Sequence, residues 1–454
     1  MSIEAVIVSA FSFVYKLISF FLSLWWIYLP IILFFFVRDL WIKHKRDQWI
    51  QSLEWVNLEV IPPQEIKKTP YAMEQFFAAL HGSQSSPNKW GQVMNGETQR
   101  WFSFEIVSLG GEVHFFICTP ATFRNFIESQ IYAQYPDAEI SEVDDYVNML
   151  PPEIPNEDYN LWGTELVFTD DFAYPIRTYP VFNKDVLDVE ERIDPLASLM
   201  ETMSKLKGGE NIWIQTLIRP IGGGWKKEGE KTKNKLINRA EPAPSPNFLL
   251  KEITAWFEAF YGVIYRLLNN EAPPIKAEEK AEEKTDKLTK AEGEKVKAVE
   301  DKISKIGYET IIRFIYVARK DVFDIANVPA VVGNFKQLST QNLNGFKPNA
   351  IVTTKIDYKI QGKDKREFIR KKRILFDYRR RFFPQYSSFI PYLRPLIFQK
   401  LPFVNKIVFR YKPMIMNIEE LATVYHFPGI SVEAPFVPRV EAKKAEPPRT
   451  LPTE

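Results

Sequence analysis

The chain has 454 residues, 45% hydrophobic and 14% aromatic, with 59 Lys and Arg against 57 Asp and Glu and a formal net charge of +2. That length supports roughly two to four domains with apolar cores, and the balanced charge excludes both a globally basic nucleic-acid binder and an acidic, solvating chain. A single cysteine, Cys118, excludes a disulfide framework and a cysteine-rich zinc site, and the four scattered histidines (His44, His81, His114, His426) argue against a histidine-rich metal cluster.

Leu17 to Val37 reads LISFFLSLWWIYLPIILFFFV, without one charge. As a helix it is about 31 Å long, close to the hydrocarbon thickness of a bilayer, and the kink expected at Pro30 is tolerated in lipid. Trp25 and Trp26 fall mid-segment, where an aromatic belt is unusual. The flanks do not fit a cleaved signal peptide. Arg38, Lys43, Lys45 and Arg46 follow the run and only Lys16 precedes it. The expectation is a single-pass span (17–37) in an anchor (1–54) in the inner, cytoplasmic membrane, with the C-terminal bulk in the cytoplasm.

From 55 to 150 the pattern is β-α-β-β-α-β. Trp55–Ile61 is an apolar strand, Thr69-Pro70 opens a helix over Tyr71–Leu80, and Gly82 closes it. Arg100–Ser108 alternates, with Phe102, Phe104 and Ile106 on one face and Ser103 and Glu105 on the other. Gly110-Gly111 turns it into Glu112–Cys118. A second helix fills Ala121–Ala133, and a short strand follows near Ala138–Val143. This is the split-βαβ, ferredoxin-like order. The order recurs over 160–362: strands at Glu165–Phe168 and Ile176–Phe182, a helix from Asp194-Pro195 to Lys207, strands at Asn211–Ile221 and Thr310–Arg319, a helix after Asp321, and a strand at Ala350–Lys359. The expected fold is therefore α+β, an N-terminal transmembrane helix followed by tandem ferredoxin-like modules.

The second module carries an insertion, 223–306, in its central hairpin. Within it, 248–268 is an amphipathic helix that would lie on a membrane, cover a sheet face or pack on a sister subunit. Residues 271–305 hold ten acids and nine bases with no sustained heptad, and read as a solvated helix or disorder. The segment 363–432 begins with a basic stretch: 363–412 has fifteen Lys and Arg against three acids, with Arg370, Lys371, Lys372, Arg373, Arg379, Arg380 and Arg381 interleaved with aromatics. Residues 137–194, by contrast, hold sixteen acids against three bases. Three readings stay open for the basic stretch: it faces the acidic region across an interface, it binds DNA or another nucleic acid, or it binds anionic lipid. The tail, 433–454, is Pro-rich and polar.

Catalytic signatures are sparse. Gly224–Thr232 (GWKKEGEKT) departs from a P-loop by the added Glu230, which places a negative charge where phosphates would sit. His114 and Cys118 share a strand face with Phe116 and suggest a nucleophile pair, but without a neighbouring acid or oxyanion feature. Asp144-Asp145 and Asp170-Asp171 read as solvated turns. The expectation is a protein that is not an enzyme and holds no metal or cofactor.

One stretch goes beyond composition. Asn417–Gly429 (NIEELATVYHFPG), with the PYAMEQFFAALHG helix and the block from Arg100 to Ile140, resembles the membrane-proximal region of type IV secretion coupling-type ATPases, over about 40–432. Glu419, Glu420, Leu421, Ala422, Thr423, His426, Phe427, Pro428 and Gly429 match the junction that leads, in that family, into a RecA-like motor. No Walker motif is present in this chain. The resemblance implies a scaffold or docking subunit of a secretion or conjugation machine, working with a separate motor ATPase and assembling as a homo-oligomer. His426 is expected to be a structural turn residue.

Overall fold

The computed structural model describes residues 19, 23–63, 66, 68–182, 193–237, 289–356, 362–384, 413–429 and 438. The first long element, α1 (Trp25–Gln51), overturns the membrane expectation. Its uncharged part, from Trp25 to Val37, gives about 20 Å of helix against a hydrocarbon core of about 30 Å. Beyond Val37 the same helix turns charged, starting with the neighbouring pair Arg38–Asp39, 3.0 Å apart. Among the described residues no helix is long and apolar enough to cross a membrane. The transmembrane helix, the single-pass topology and the inner-membrane location are therefore corrected, while Leu17 lies outside the described residues. Pro30 sits inside α1, and Trp25 and Trp26 are exposed. The basic residues expected to set topology make ordinary protein contacts: Lys45 lies 5.1 Å from the Trp41 ring, and burial, helped by nearby Arg219, lowers the pKa of Arg46. Lys43 is exposed.

After α1 come β1 (Trp55–Ile61), α2 (Tyr71–Leu80), β2 (Phe102–Leu109), β3 (Glu112–Pro120), α3 (Arg124–Gln134) and β4 (Glu139–Glu142). A second set follows: β5 (Tyr159–Phe168), α4 (Ala197–Ser204), β6 (Glu210–Pro220), α5 (Gly224–Leu236), α6 (Lys290–Ser304), β7 (Gly307–Arg319), α7 (Asn327–Lys336) and β8 (Phe346–Pro348). The chain then forms α8 (Lys363–Arg379), β9 (Met414–Asn417) and α9 (Ile418–Val424). The fold is α+β with one large antiparallel sheet, ordered β4-β1-β3-β2-β6-β7-β5-β8, with β9 on β7.

The two halves do not form separate sheets. β2 pairs antiparallel with β6 from Phe102–Ile218 to Leu109–Asn211, so the halves meet edge to edge as near mirror orders. β7 is long enough to serve two partners on the edge opposite β6: Gly307–Thr310 pairs with β9, and Ile312–Arg319 pairs with β5. Three element assignments differ from expectation. The first strand of the second half begins at Tyr159; a helical turn, Tyr179–Phe182, replaces the strand expected there; and the last strand is Phe346–Pro348, ahead of the expected range. The insertion leaves and returns as α5 and α6, whose bases pack through Trp225, Val299 and Ile303. The expected helix 248–268 and the start of 271–305 lie outside the described residues. α6 opens with a capping box, Thr289 and Glu292 each accepting or donating across the first turn.

Because side chains alternate across a strand, β2 sends Phe102, Phe104 and Ile106 to the front, where they pack with Phe76 and Phe77 of α2, Met200 of α4, Val331 of α7 and Leu421 of α9. The back, which carries Ser103 and Glu105, is covered by the 146–154 segment and by α8: Val107, Trp213 and Ile315 pack on Val147, Ile154, Ile374 and Tyr378. Ser103 and Glu105 are consequently fully buried.

Candidate functional site

The covered back face gathers the polar residues of the strands into one row. Pairing places Glu105 opposite Gln215, Gln215 opposite Arg313, and Arg313 opposite Glu165. The side chains continue that register as hydrogen bonds: Gln215 Nε2 donates to Glu105 Oε1 at 2.9 Å, Arg313 Nη1 to Gln215 Oε1 at 3.1 Å, and Arg313 Nε to Glu165 Oε1 at 2.9 Å. Buried charges are tolerated only when paired and hydrogen-bonded, and the rest of the pairing comes from just past α8. Arg381 donates to both oxygens of Glu105, at 3.0 and 3.2 Å, and to both oxygens of Asp145, at 2.6 and 2.9 Å. Ser103 and Tyr146 also donate to Glu105, at 2.5 and 2.7 Å, and the Tyr146 and Tyr378 hydroxyls are 2.7 Å apart.

The electrostatics of this hub follow from its burial. Burial opposes the Arg381 charge, but the Glu105 and Asp145 carboxylates that it binds overcome this and push its pKa well above the ordinary guanidinium value. Burial, with Glu105 beside them, pushes the Tyr146 and Tyr378 hydroxyls well up. It also pushes the Cys118 thiol up to about 12, which removes the reactive thiolate at neutral pH. His114 does have an acid neighbour, contrary to the sequence reading: its Nδ1 is 2.7 Å from Glu59 Oε1, on the adjacent strand. Arg381 holds this position at φ +47°, a left-handed backbone rarely adopted outside glycine. The backbone at the end of α8 is clamped in turn: Gln215 donates to Tyr378 O, Arg313 to Phe382 O, and Trp101 Nε1 to Arg381 O. The arrangement fastens the end of α8 to the sheet.

Among the described residues of the basic stretch, several cations bond to groups of the same chain. Lys372 donates to Glu153 at 2.8 Å and Lys371 to Asn160 Oδ1 at 2.9 Å. Arg379 donates to the carbonyls of Leu150, Pro151 and Pro152, and Arg370 to those of Ala350 and Thr353. Arg373 lies 3.9 Å from Asp377, and Arg380 lies over the Phe376 ring at 5.1 Å. Asp145, expected to be a solvated turn residue, is one of the anions in the hub.

The junction residues meet elsewhere, on the front. Glu420 closes a capping box with Asn417 and pairs with the fully buried Lys302 at 3.0 Å; burial lowers the Lys302 pKa, with Glu420 opposing. Glu419 pairs with Lys305, which also donates to Glu74 at 2.9 Å. His426 Nδ1 is 2.8 Å from Ala422 O, and its Nε2 is 2.9 Å from Asp194 Oδ1. Asp194 also accepts from Leu196 N and Gly429 N. Burial alone would raise the Asp194 pKa, but His426 and these two amides hold it below the usual carboxylate value. Phe427 packs on Tyr135 and Phe115, at 5.1 and 5.4 Å, and Pro428 is buried.

What the basic stretch leaves outside is a groove of about 460 Å³ between α8 and the 152–154 wall. Phe368, Ile369 and Phe376 line it and are 43%, 53% and 57% exposed. Lys372, Arg373 and Arg379 line it as well, against one carboxylate, Glu153. Among the described residues no group of His, Cys, Asp and Glu side chains could hold a metal ion.

A family model described as a domain of unknown function, DUF8128, matches residues 37–437. The chain belongs to the DUF8128 family. No curated protein matches it. The family match begins at Val37 and takes in the whole sheet, the hub and the α8 groove of this DUF8128 chain. The family description gives no support to the secretion-system and conjugation association drawn from the junction motif.

The sequence reading singled out Arg381 but missed Glu105, Gln215, Arg313, Glu165, Tyr146 and Tyr378. A usable signal was present: Gln215 and Arg313 sit mid-strand in largely apolar runs (NIWIQTLIRPI and TIIRFIYVAR). A lone polar residue in such a strand needs a buried partner.

Proposed function

We propose that the protein is a non-catalytic docking module, a rigid sheet that presents the outer face of α8 to a protein partner. The observation that carries this reading is the groove, where three large apolar side chains stand exposed among cations on a helix whose inner face is fixed. Exposed apolar residues grouped in a concavity mark interaction sites more often than scattered ones. The hub supports the reading by making the presenting helix stiff, which lowers the ordering cost of binding. A photo-cross-linking residue in place of Phe376, in the full chain in its native cells, tests it. The expected result is capture of a defined protein that is not captured from exposed Lys297 on α6. Identical capture patterns at the two positions would refute the reading.

A further inference from the structure

We propose that the α8 groove receives an acidic segment of a partner protein carrying two apolar side chains about two helical turns apart. This rests on the docking reading and names the class of partner. Ile369 and Phe376 are seven residues apart on one face of α8, so their side chains stand about 10 Å apart along the helix. Both are exposed, and Pro152 and Ile154 form the opposite wall. Two apolar anchors at that spacing match one face of a docked helix.

The charge around these anchors fixes the sign of the partner. Lys372 and Arg373 lie between them in sequence, and exposed Arg366 and Arg380 lie beyond either end. Lys372 and Glu153 pair with each other and largely cancel, so the net positive charge at the groove comes from Arg373, Arg366 and Arg380. The charged heads lie over the rings: Lys372 Nζ is 4.9 Å from the Phe368 ring and Arg380 Cζ 5.1 Å from that of Phe376, so cation and ring form one surface.

A nucleic-acid strand fits this surface less well. Arg370, Arg379 and Arg381 are engaged by carbonyls and carboxylates of the same chain. Phe368 and Phe376 are about 12 Å apart along the helix, far wider than the roughly 3.4 Å spacing of successive residues in a stacked strand. A lipid surface would ask for a convex apolar face, whereas these side chains line a groove.

A random peptide display library selected on the full chain gives the test, with single-stranded DNA and phosphatidylserine vesicles as comparison probes. The expected result is enrichment of acidic peptides with a pair of apolar residues at helical spacing. Ile369→Ser and Phe376→Ser should each weaken their binding about tenfold or more, and Arg373→Glu should shift the selected charge toward neutral or basic. All three positions are on the outer face, so circular dichroism should match that of the unaltered chain. Enrichment without acidic bias, or binding unchanged by Phe376→Ser, would overturn the proposal, as would DNA or vesicles binding more tightly through the same residues. If cross-linking at position 376 succeeds and the library shows no acidic bias, only the partner class falls. If cross-linking fails, the docking reading itself falls.

Discussion

Arg381→Met should be among the most destabilising single changes in the chain. The Arg381 side chain is 6% exposed and Glu105 is fully buried, so the substitution leaves a buried carboxylate without its cation. Removing one member of such a pair costs about 3–5 kcal/mol. The lower end applies here, about 3 kcal/mol, because Ser103, Gln215 and Tyr146 still donate to Glu105 and Asp145 is partly solvated. Methionine does not relieve the positive φ, so no backbone strain is recovered to offset the loss. Urea unfolding followed by tryptophan fluorescence reads the effect directly. Trp101 donates to the Arg381 carbonyl, and Trp213 packs against Tyr378 at 5.4 Å. Adding Glu105→Gln to the same chain removes the orphaned charge and should restore part of the loss, a coupling of about 1–3 kcal/mol. A loss below about 1 kcal/mol for Arg381→Met, the range of an exposed ion pair, would refute the view that this hub fastens α8.

Two further outcomes follow from local geometry. Gly96 has φ +72°, and a Cβ there would lie 2.3 Å from the Lys45 backbone, whereas Gly110 has φ +62° but its nearest neighbour is 3.5 Å away. Gly110→Ala should therefore cost only the left-handed penalty, about 1 kcal/mol, and Gly96→Ala clearly more, with protease cleavage near Lys45 as the readout; equal costs would refute the close approach. The Asp194 pKa is depressed in the folded state, so its contribution is fully present above the unfolded value of about 3.9 and is lost as pH falls through the lower folded value. Asp194→Asn should cost about 1.5–3 kcal/mol at pH 7, and the gap to the unaltered chain should close in acid; a gap independent of pH would refute that role.

The strand β2 was legible because Phe102, Phe104 and Ile106 alternate with Ser103 and Glu105. The burial of its second face was not. Sequence shows Ser103 and Glu105 as polar and cannot show that α8, more than 250 positions later, returns to cover them. The basic stretch was legible as charge, but charge alone does not distinguish an arginine clamped on carbonyls, such as Arg379, from one facing outward, such as Arg366. The membrane expectation came from counting uncharged residues from Leu17, whereas the described helix starts at Trp25 and becomes charged at Arg38. Asp194 was read as a helix start, which is compatible with its bond to Leu196 N; its second role, receiving His426 and Gly429, depends on a contact across 232 positions.

Joining the halves through β2 and β6 also determines how the sheet ends. A half on its own would expose the eight-residue strand β2 as an open rim, a template on which another chain could add. In the joined sheet that rim is interior, and the path ends instead at β4 and β8, four and three residues long. Such short rims offer few free amides and carbonyls to a passing strand. Among the described strands, pairing β2 with β6 therefore leaves little open backbone at the two ends of the path on which another strand could add.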